Sequence, residues 1–81
     1  MRLKHLRIYA LPDGKEYVAD VFDGGGYGLV PYSIWNFQRL TAYRVDRDGR
    51  LLNESGRARW RVEHLRDTGR EAQYPAPGPL A

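Results

Sequence analysis

The chain reads as a mainly β fold, a small antiparallel barrel or curled sheet of about five strands, with room for one short helix near residues 33–39. Three observations carry this reading. Short apolar segments alternate with polar residues at period two, the signature of half-buried strands. Asp/Gly turns recur between those segments. A glycine-rich, aromatic run sits mid-chain, and a chain of 81 residues can bury it only by wrapping its flanks around it.

Residues 3–11 place Leu6, Ile8 and Ala10 on one face and His5, Arg7 and Tyr9 on the other, so they form a first strand. Leu11-Pro12-Asp13-Gly14 is a turn, because proline presets φ and glycine accepts positive φ. Residues 15–23 return as the second strand. A two-residue Asp-Gly loop would oppose Leu6, Ile8 and Ala10 to Val21, Ala19 and Tyr17. A type I turn with Gly14 as a bulge suits Pro12 better and shifts the pairing by one. The bulged turn is the local expectation, and the register stays open.

The run from Asp23 to Phe37 holds four of the nine glycines and no charge after Asp23 until Arg39. Its adjacent apolar pairs, Leu29-Val30 and Ile34-Trp35, defeat period two, while Val30, Ile34, Phe37 and Thr41 share a helical face. Pro31 suits a first helical turn. The expectation is a strand over 27–30, then a short helix or 3₁₀ turn over about 33–39, with the run plugging the core.

Residues 40–46 form a strand with Tyr43 and Val45 inward, followed by the turn Asp46-Arg47-Asp48-Gly49-Arg50 and a short strand Leu51–Glu54. Asn53-Glu54-Ser55-Gly56 turns again. Ala58, Trp60 and Val62 then alternate with Arg57, Arg59, Arg61 and Glu63 in a strand ending near Leu65 or Arg66, and Asp67-Thr68-Gly69 turns the chain out. Residues 1–69 are read as a single small β-rich domain, and 70–81, with proline at 75, 77 and 79, as a Pro-rich mobile C-terminal tail. SH3-like and Sm-like barrels are the commonest architectures with this layout.

Composition narrows the function classes. The chain has no cysteine, which excludes disulfides and thiolate metal sites, and its two histidines, His5 and His64, would need carboxylates to hold a metal. No metal or cofactor is expected. Charges at Arg2, Lys4 and Arg7 interrupt any leader-like apolar stretch, and no apolar run is long enough to cross a bilayer, so a cytoplasmic location without membrane contact is expected. Eleven of the thirteen basic residues are arginine, but the net charge of +3 is mild for a nucleic-acid binder.

The glycine cluster lacks the lysine of a phosphate-binding loop, since the only lysines are Lys4 and Lys15, and no room remains for a dinucleotide-binding βαβ unit. Gly26-Tyr27-Gly28-Leu29-Val30-Pro31-Tyr32 resembles the RNA-recognition and cold-shock pattern at Gly26, Tyr27, Gly28, Val30 and Tyr32. Gly25 and Leu29 replace the basic residue and the central aromatic, which touch nucleic acid in those families. Asp67-Thr68-Gly69 is similar to the aspartic-protease tripeptide, but Arg66 and Arg70 flank it in place of an apolar approach strand. Asp46, Asp48 and Gly49 lack the remaining ligands of a calcium loop. Ser33, Asp20 and a histidine assemble a triad only on paper, so no enzyme is expected.

The function expected is a non-catalytic binding or assembly module for a protein partner or for self-association, with Tyr9, Tyr27 or Tyr32 facing the partner. The alternative is a nucleic-acid-binding β-barrel that uses Arg57, Arg59 and Arg61 on one strand face together with Tyr27.

Overall fold

A computed structural model of the protein describes residues 2–21 and 26–74. The glycine-rich crossing at 22–25 and the proline-rich segment at 75–81 lie outside the described residues. The fold is mainly β, with strands β1 (Arg7–Ala10), β2 (Glu16–Val21), β3 (Tyr27–Pro31), β4 (Tyr43–Val45), β5 (Arg50–Leu52), β6 (Ala58–Arg61) and β7 (Arg66–Glu71). They form one antiparallel sheet in the order β6-β5-β4-β3-β2-β1-β7. The class is the one expected, but the strands number seven rather than about five. The short helix shrinks to a 3₁₀ turn at Tyr32–Ile34, and a second 3₁₀ turn at Val62–His64 links β6 to β7.

That second link makes the sheet curl. β6 and β7 are its two edges, and seven flat strands would hold them about 29 Å apart. The four residues between Arg61 and Arg66 span at most about 18 Å when fully stretched. The sheet therefore bends into a half-barrel.

Each of three hairpins uses the same turn. Leu11, Asp46 and Asn53 each accept the amide of a glycine three residues on (2.8, 3.1 and 2.9 Å), and each donates its own amide to the residue after that glycine. Gly14, Gly49 and Gly56 sit at φ +86°, +80° and +76°. This is the bulged type I turn, and it fixes the first register as Ile8↔Val18 and Tyr9↔Tyr17. Asp46 and Asn53 reinforce their turns by accepting further backbone N–H groups two and four residues on.

Asp67-Thr68-Gly69 is not an exit but a bulge inside β7. Arg7 pairs with Glu71 and Tyr9 with Asp67, so Ile8 alone faces Thr68, Gly69 and Arg70. The Thr68 hydroxyl donates to the Ile8 carbonyl at 2.7 Å, replacing the missing ladder bond. Strand pairing thus continues to Glu71 and Ala72 is buried, beyond the boundary expected at residue 69. Leu6, at φ +68°, ends the first strand early at its N-terminal side, so β1 starts at Arg7.

The sheet is apolar on both faces over β1–β3. The concave face gathers Tyr9, Tyr17, Ala19, Leu29 and Leu51, closed by Leu3, Val62 and Leu65. The convex face gathers Ile8, Val18 and Val30 under Trp35 and Ala72. Adjacent residues such as Leu29 and Val30 therefore enter different layers, which is why period two fails there.

Candidate functional site

Arg61 is opposed to Arg50 and adjoins Trp60, which packs on the concave layer, so it lies on the convex side of β6, whereas Arg59 is the extra residue at the register shift between Leu51 and Leu52. By the same alternation Arg44, between Tyr43 and Val45, and Arg50, beside Leu51, share that side. Arg50 and Arg61 are directly opposed across β5 and β6, an unfavourable like-charge pair. Carboxylates relieve it. Arg50 Nε lies 2.7 Å from Asp46 and its guanidinium 3.6 Å from Asp48. Arg61 lies 3.2 Å from Glu63 and donates to the Asp48 carbonyl at 2.8 Å. The Arg50 backbone N–H, ahead of its guanidinium and the Asp48 amide, holds the Asp46 carboxyl below the usual carboxylate range.

Arg44, Arg57 and Arg59 have no carboxylate partner among the described residues, and Arg59 instead lies 5.1 Å over the Trp60 ring. Of the expected contact residues, Arg61 lies on the convex side and is partly neutralised, Arg59 sits at the register shift of β6, and Arg57, paired with Asn53 at the end of the β5–β6 turn, falls on the concave side.

The tyrosines do not join them. Tyr27 stands in a cross-sheet row with Val45, Leu51 and Trp60, so it belongs to the concave side, opposite Arg44, Arg50 and Arg61, and about 14 Å of sheet separates it from β6. Tyr32, on the first 3₁₀ turn, lies under the Arg70 guanidinium at 5.8 Å. It lines a groove of about 480 Å³ with Tyr17, Pro31, Ser33 and Lys15. Arg70 is ion-paired to Glu16 beside this groove. Burial, then contact with Tyr43, pushes the Tyr17 hydroxyl up to about 12. Tyr9, 2% exposed with its hydroxyl accepting the Lys4 amide, is a core residue and faces no partner.

The central run divides at its end. Trp35 enters the convex layer as expected, 1% exposed, with Nε1 donating to the Gln73 carbonyl at 2.7 Å. Tyr74 stacks on it at 5.5 Å, and Arg39 lies 5.3 Å over Tyr74. Phe37, expected to share the plug, instead stands 85% exposed, and Leu40 61% exposed. The loop that carries them is tethered: Phe37 and Gln38 amides both donate to the Ile34 carbonyl at 2.9 Å, and Ala42 donates to Leu29 at 2.8 Å. No periodicity distinguishes Phe37 from Trp35, since the irregular backbone after the 3₁₀ turn decides which ring turns inward.

The triad does not form. His5 Nδ1 accepts the Val21 amide at 3.2 Å, with Asp20 at 3.9 Å and the Tyr74 hydroxyl bonded to Asp20 at 3.0 Å. Burial, then that bond, raises the Tyr74 hydroxyl above its usual range. Ser33 lines the tyrosine groove without a hydrogen bond to either histidine among the described residues. Among the described residues no three His, Asp or Glu side chains gather as a metal set, and no helix is long and apolar enough to cross a membrane.

Comparison of the chain with protein-family models, with curated proteins and with solved structures finds no match in any of the three.

Proposed function

We propose that the protein is a non-catalytic assembly module whose copies associate through the loop between the first 3₁₀ turn and β4. The observation that carries this reading is the exposure of Phe37 and Leu40 at 85% and 61%, three residues apart on a tethered loop. Two large apolar side chains held outward in this way form the kind of surface patch that marks an interaction site. Because the loop is already held in place, little ordering entropy opposes binding.

A symmetric contact would bury both side chains from each copy, four in all. At about 1.5–3 kcal/mol per side chain the gross gain is about 6–12 kcal/mol, set against an association cost of about 4–15 kcal/mol. The net gain is about 8 kcal/mol at most, so the dimer is micromolar at its tightest and weaker across the rest of these ranges. Sedimentation equilibrium of the wild type over about 1–500 μM tests this. Concentration-dependent association, lost in Phe37→Ser with the circular dichroism spectrum unchanged, is the expected result. A wild type that stays monomeric throughout, or a Phe37→Ser variant that associates equally well, refutes it.

A further inference from the structure

The rim of the sheet beside the β1–β2 turn carries the groove of about 480 Å³ walled by Tyr17, Pro31, Tyr32, Ser33 and Lys15. Seven residues follow Tyr74, Pro75-Ala76-Pro77-Gly78-Pro79-Leu80-Ala81, and none of them is charged. We propose that this segment folds back onto its own domain and seats Pro79 and Leu80 in the groove, between Tyr17 and Tyr32. The proposal concerns a different surface from the Phe37 loop and stands independently of it.

Three observations favour this occupant. The first is reach. Trp35 Nε1 donates to the Gln73 carbonyl at 2.7 Å, and Trp35 stands two residues from Ser33. Covalent geometry then puts Tyr74 within ~16 Å of Ser33. A polyproline-type segment rises ~3.1 Å per residue, so Pro79 reaches ~16 Å and Leu80 ~19 Å from Tyr74. The Tyr74 end is anchored, its ring stacked on Trp35 at 5.5 Å and its hydroxyl bonded to Asp20 at 3.0 Å.

The second is the match between walls and segment. Proline-rich segments dock in aromatic-lined grooves, because their backbone is preformed and loses little entropy on binding. Tyr17 is 5% exposed and packed edge-on against Tyr43 at 5.5 Å, so it is a fixed wall. Tyr32 is 40% exposed, and its uncovered ring surface gains from apolar cover.

The third is hydrogen-bond sense. Proline lacks an N–H, so residues 75–81 offer seven carbonyl acceptors against four amide donors. The groove presents donors in return, the hydroxyls of Tyr32 and Ser33 and the ammonium of Lys15. The carboxylate on its rim, Glu16, is already ion-paired to Arg70. The tether selects the chain's own segment over that of a second copy. A link of a few residues gives a local concentration on the order of 1 mM, far above a second copy at micromolar concentration.

The test is NMR on the full-length protein. Nuclear Overhauser contacts are sought from the Leu80 methyls to the Tyr17 and Tyr32 ring protons. They are measured in isotope-labelled protein and in an equal mixture of labelled and unlabelled chains, for wild type, Leu80→Ser and Tyr32→Ala. A synthetic peptide of residues 74–81 is then titrated into wild type and Leu80→Ser, following the amide shifts of Lys15 and Ser33.

Expected are contacts within one chain and none across the mixture, lost in either variant while the amide spectrum of the strands is kept. With the tethered segment at ~1 mM and a peptide Kd of ~100 μM, the peptide binds Leu80→Ser about tenfold more tightly than wild type. Absence of the Leu80 contacts in wild type overturns the proposal. So does their appearance across the mixture, which assigns the groove to the segment of a second copy. Equal peptide affinity for wild type and Leu80→Ser overturns it as well. If Tyr32→Ala does not fold, Leu80→Ser carries the test, because Leu80 lies beyond the last strand.

Discussion

Trp35→Ala tests how the convex layer holds the fold. The ring is buried over Ile8, Val18, Val30 and Ala72, and its Nε1–H holds the Gln73 carbonyl at 2.7 Å. Truncating a buried tryptophan costs about 3–5 kcal/mol, the cavity included. The lost hydrogen bond contributes about 1 kcal/mol of this range and frees the segment that brings Tyr74 over the ring. A domain of 81 residues has a total stability of about 4–12 kcal/mol. The variant is therefore expected at the edge of unfolding. Urea denaturation followed by circular dichroism and by the fluorescence of the remaining Trp60 measures it. Trp35→Phe keeps an aromatic ring and loses the N–H, and should cost about 1–2 kcal/mol. A Trp35→Ala variant within about 1 kcal/mol of the wild type would refute the reasoning, because β1–β3 would then be held by the concave layer alone.

Two further predictions concern the turns and the pH limits of the fold. Gly49→Ala should destabilise more than Gly14→Ala. Both pay about 1–2 kcal/mol for a side chain at positive φ, but only at Gly49 would the new Cβ meet Val62 Cγ2, at 3.1 Å. Equal melting temperatures would remove the steric part of this argument. With pH, two groups act at opposite ends. The folded Asp46 carboxyl lies below its ordinary range, so its contribution is complete above the ordinary carboxylate pKa and is lost as pH falls through the folded value. The folded Tyr17 hydroxyl is raised to about 12, so its contribution is complete below about pH 10 and is lost as pH rises from there towards 12. Asp46→Asn should flatten the acid limb of the stability curve and Tyr17→Phe the alkaline limb. A variant whose limb keeps the wild-type slope contradicts that assignment.

The turns and most strands were legible because their physics is local. Proline, aspartate and glycine at fixed offsets dictate the bulged hairpin whatever the remainder of the chain does, and the register left open in the sequence is the one that this turn sets. β7 was hidden for the converse reason. As an edge strand it exposes most of its side chains, so Arg66-Asp67-Thr68-Gly69-Arg70-Glu71 carries no apolar alternation, and its glycine mimics a turn. The convex layer was legible only in part. Trp35 was expected inside on its bulk, but the opposite fates of Trp35 and Phe37 depend on where the 3₁₀ turn at Tyr32–Ile34 ends. Strand alternation put Arg57, Arg59 and Arg61 on one face, but the register shift between Leu51 and Leu52 breaks that face at Arg59, a bulge that no local pattern announces. Arg44 shares the convex side with Arg50 and Arg61 only through the cross-strand order.

Self-association of a half-barrel has two routes, edge pairing and side-chain contact, and the edges of this sheet argue for the second. Val62 donates to Gly49 across β5 and β6, so the alternation of the ladder turns the Arg61 amide outward. That amide is already taken, donating to His64 Nδ1 at 3.0 Å. On the opposite edge, β7 is bent by its bulge, with Gly69 at φ +78° and Thr68 consuming the Ile8 carbonyl. Bulges and charged side chains are how sheets avoid joining neighbours through their backbones, and both edges here carry arginine. A second copy therefore has no straight edge to extend. Apolar side chains held clear of the sheet offer a contact that leaves the hydrogen-bonding of both edges undisturbed, and Phe37 and Leu40 are the pair so placed.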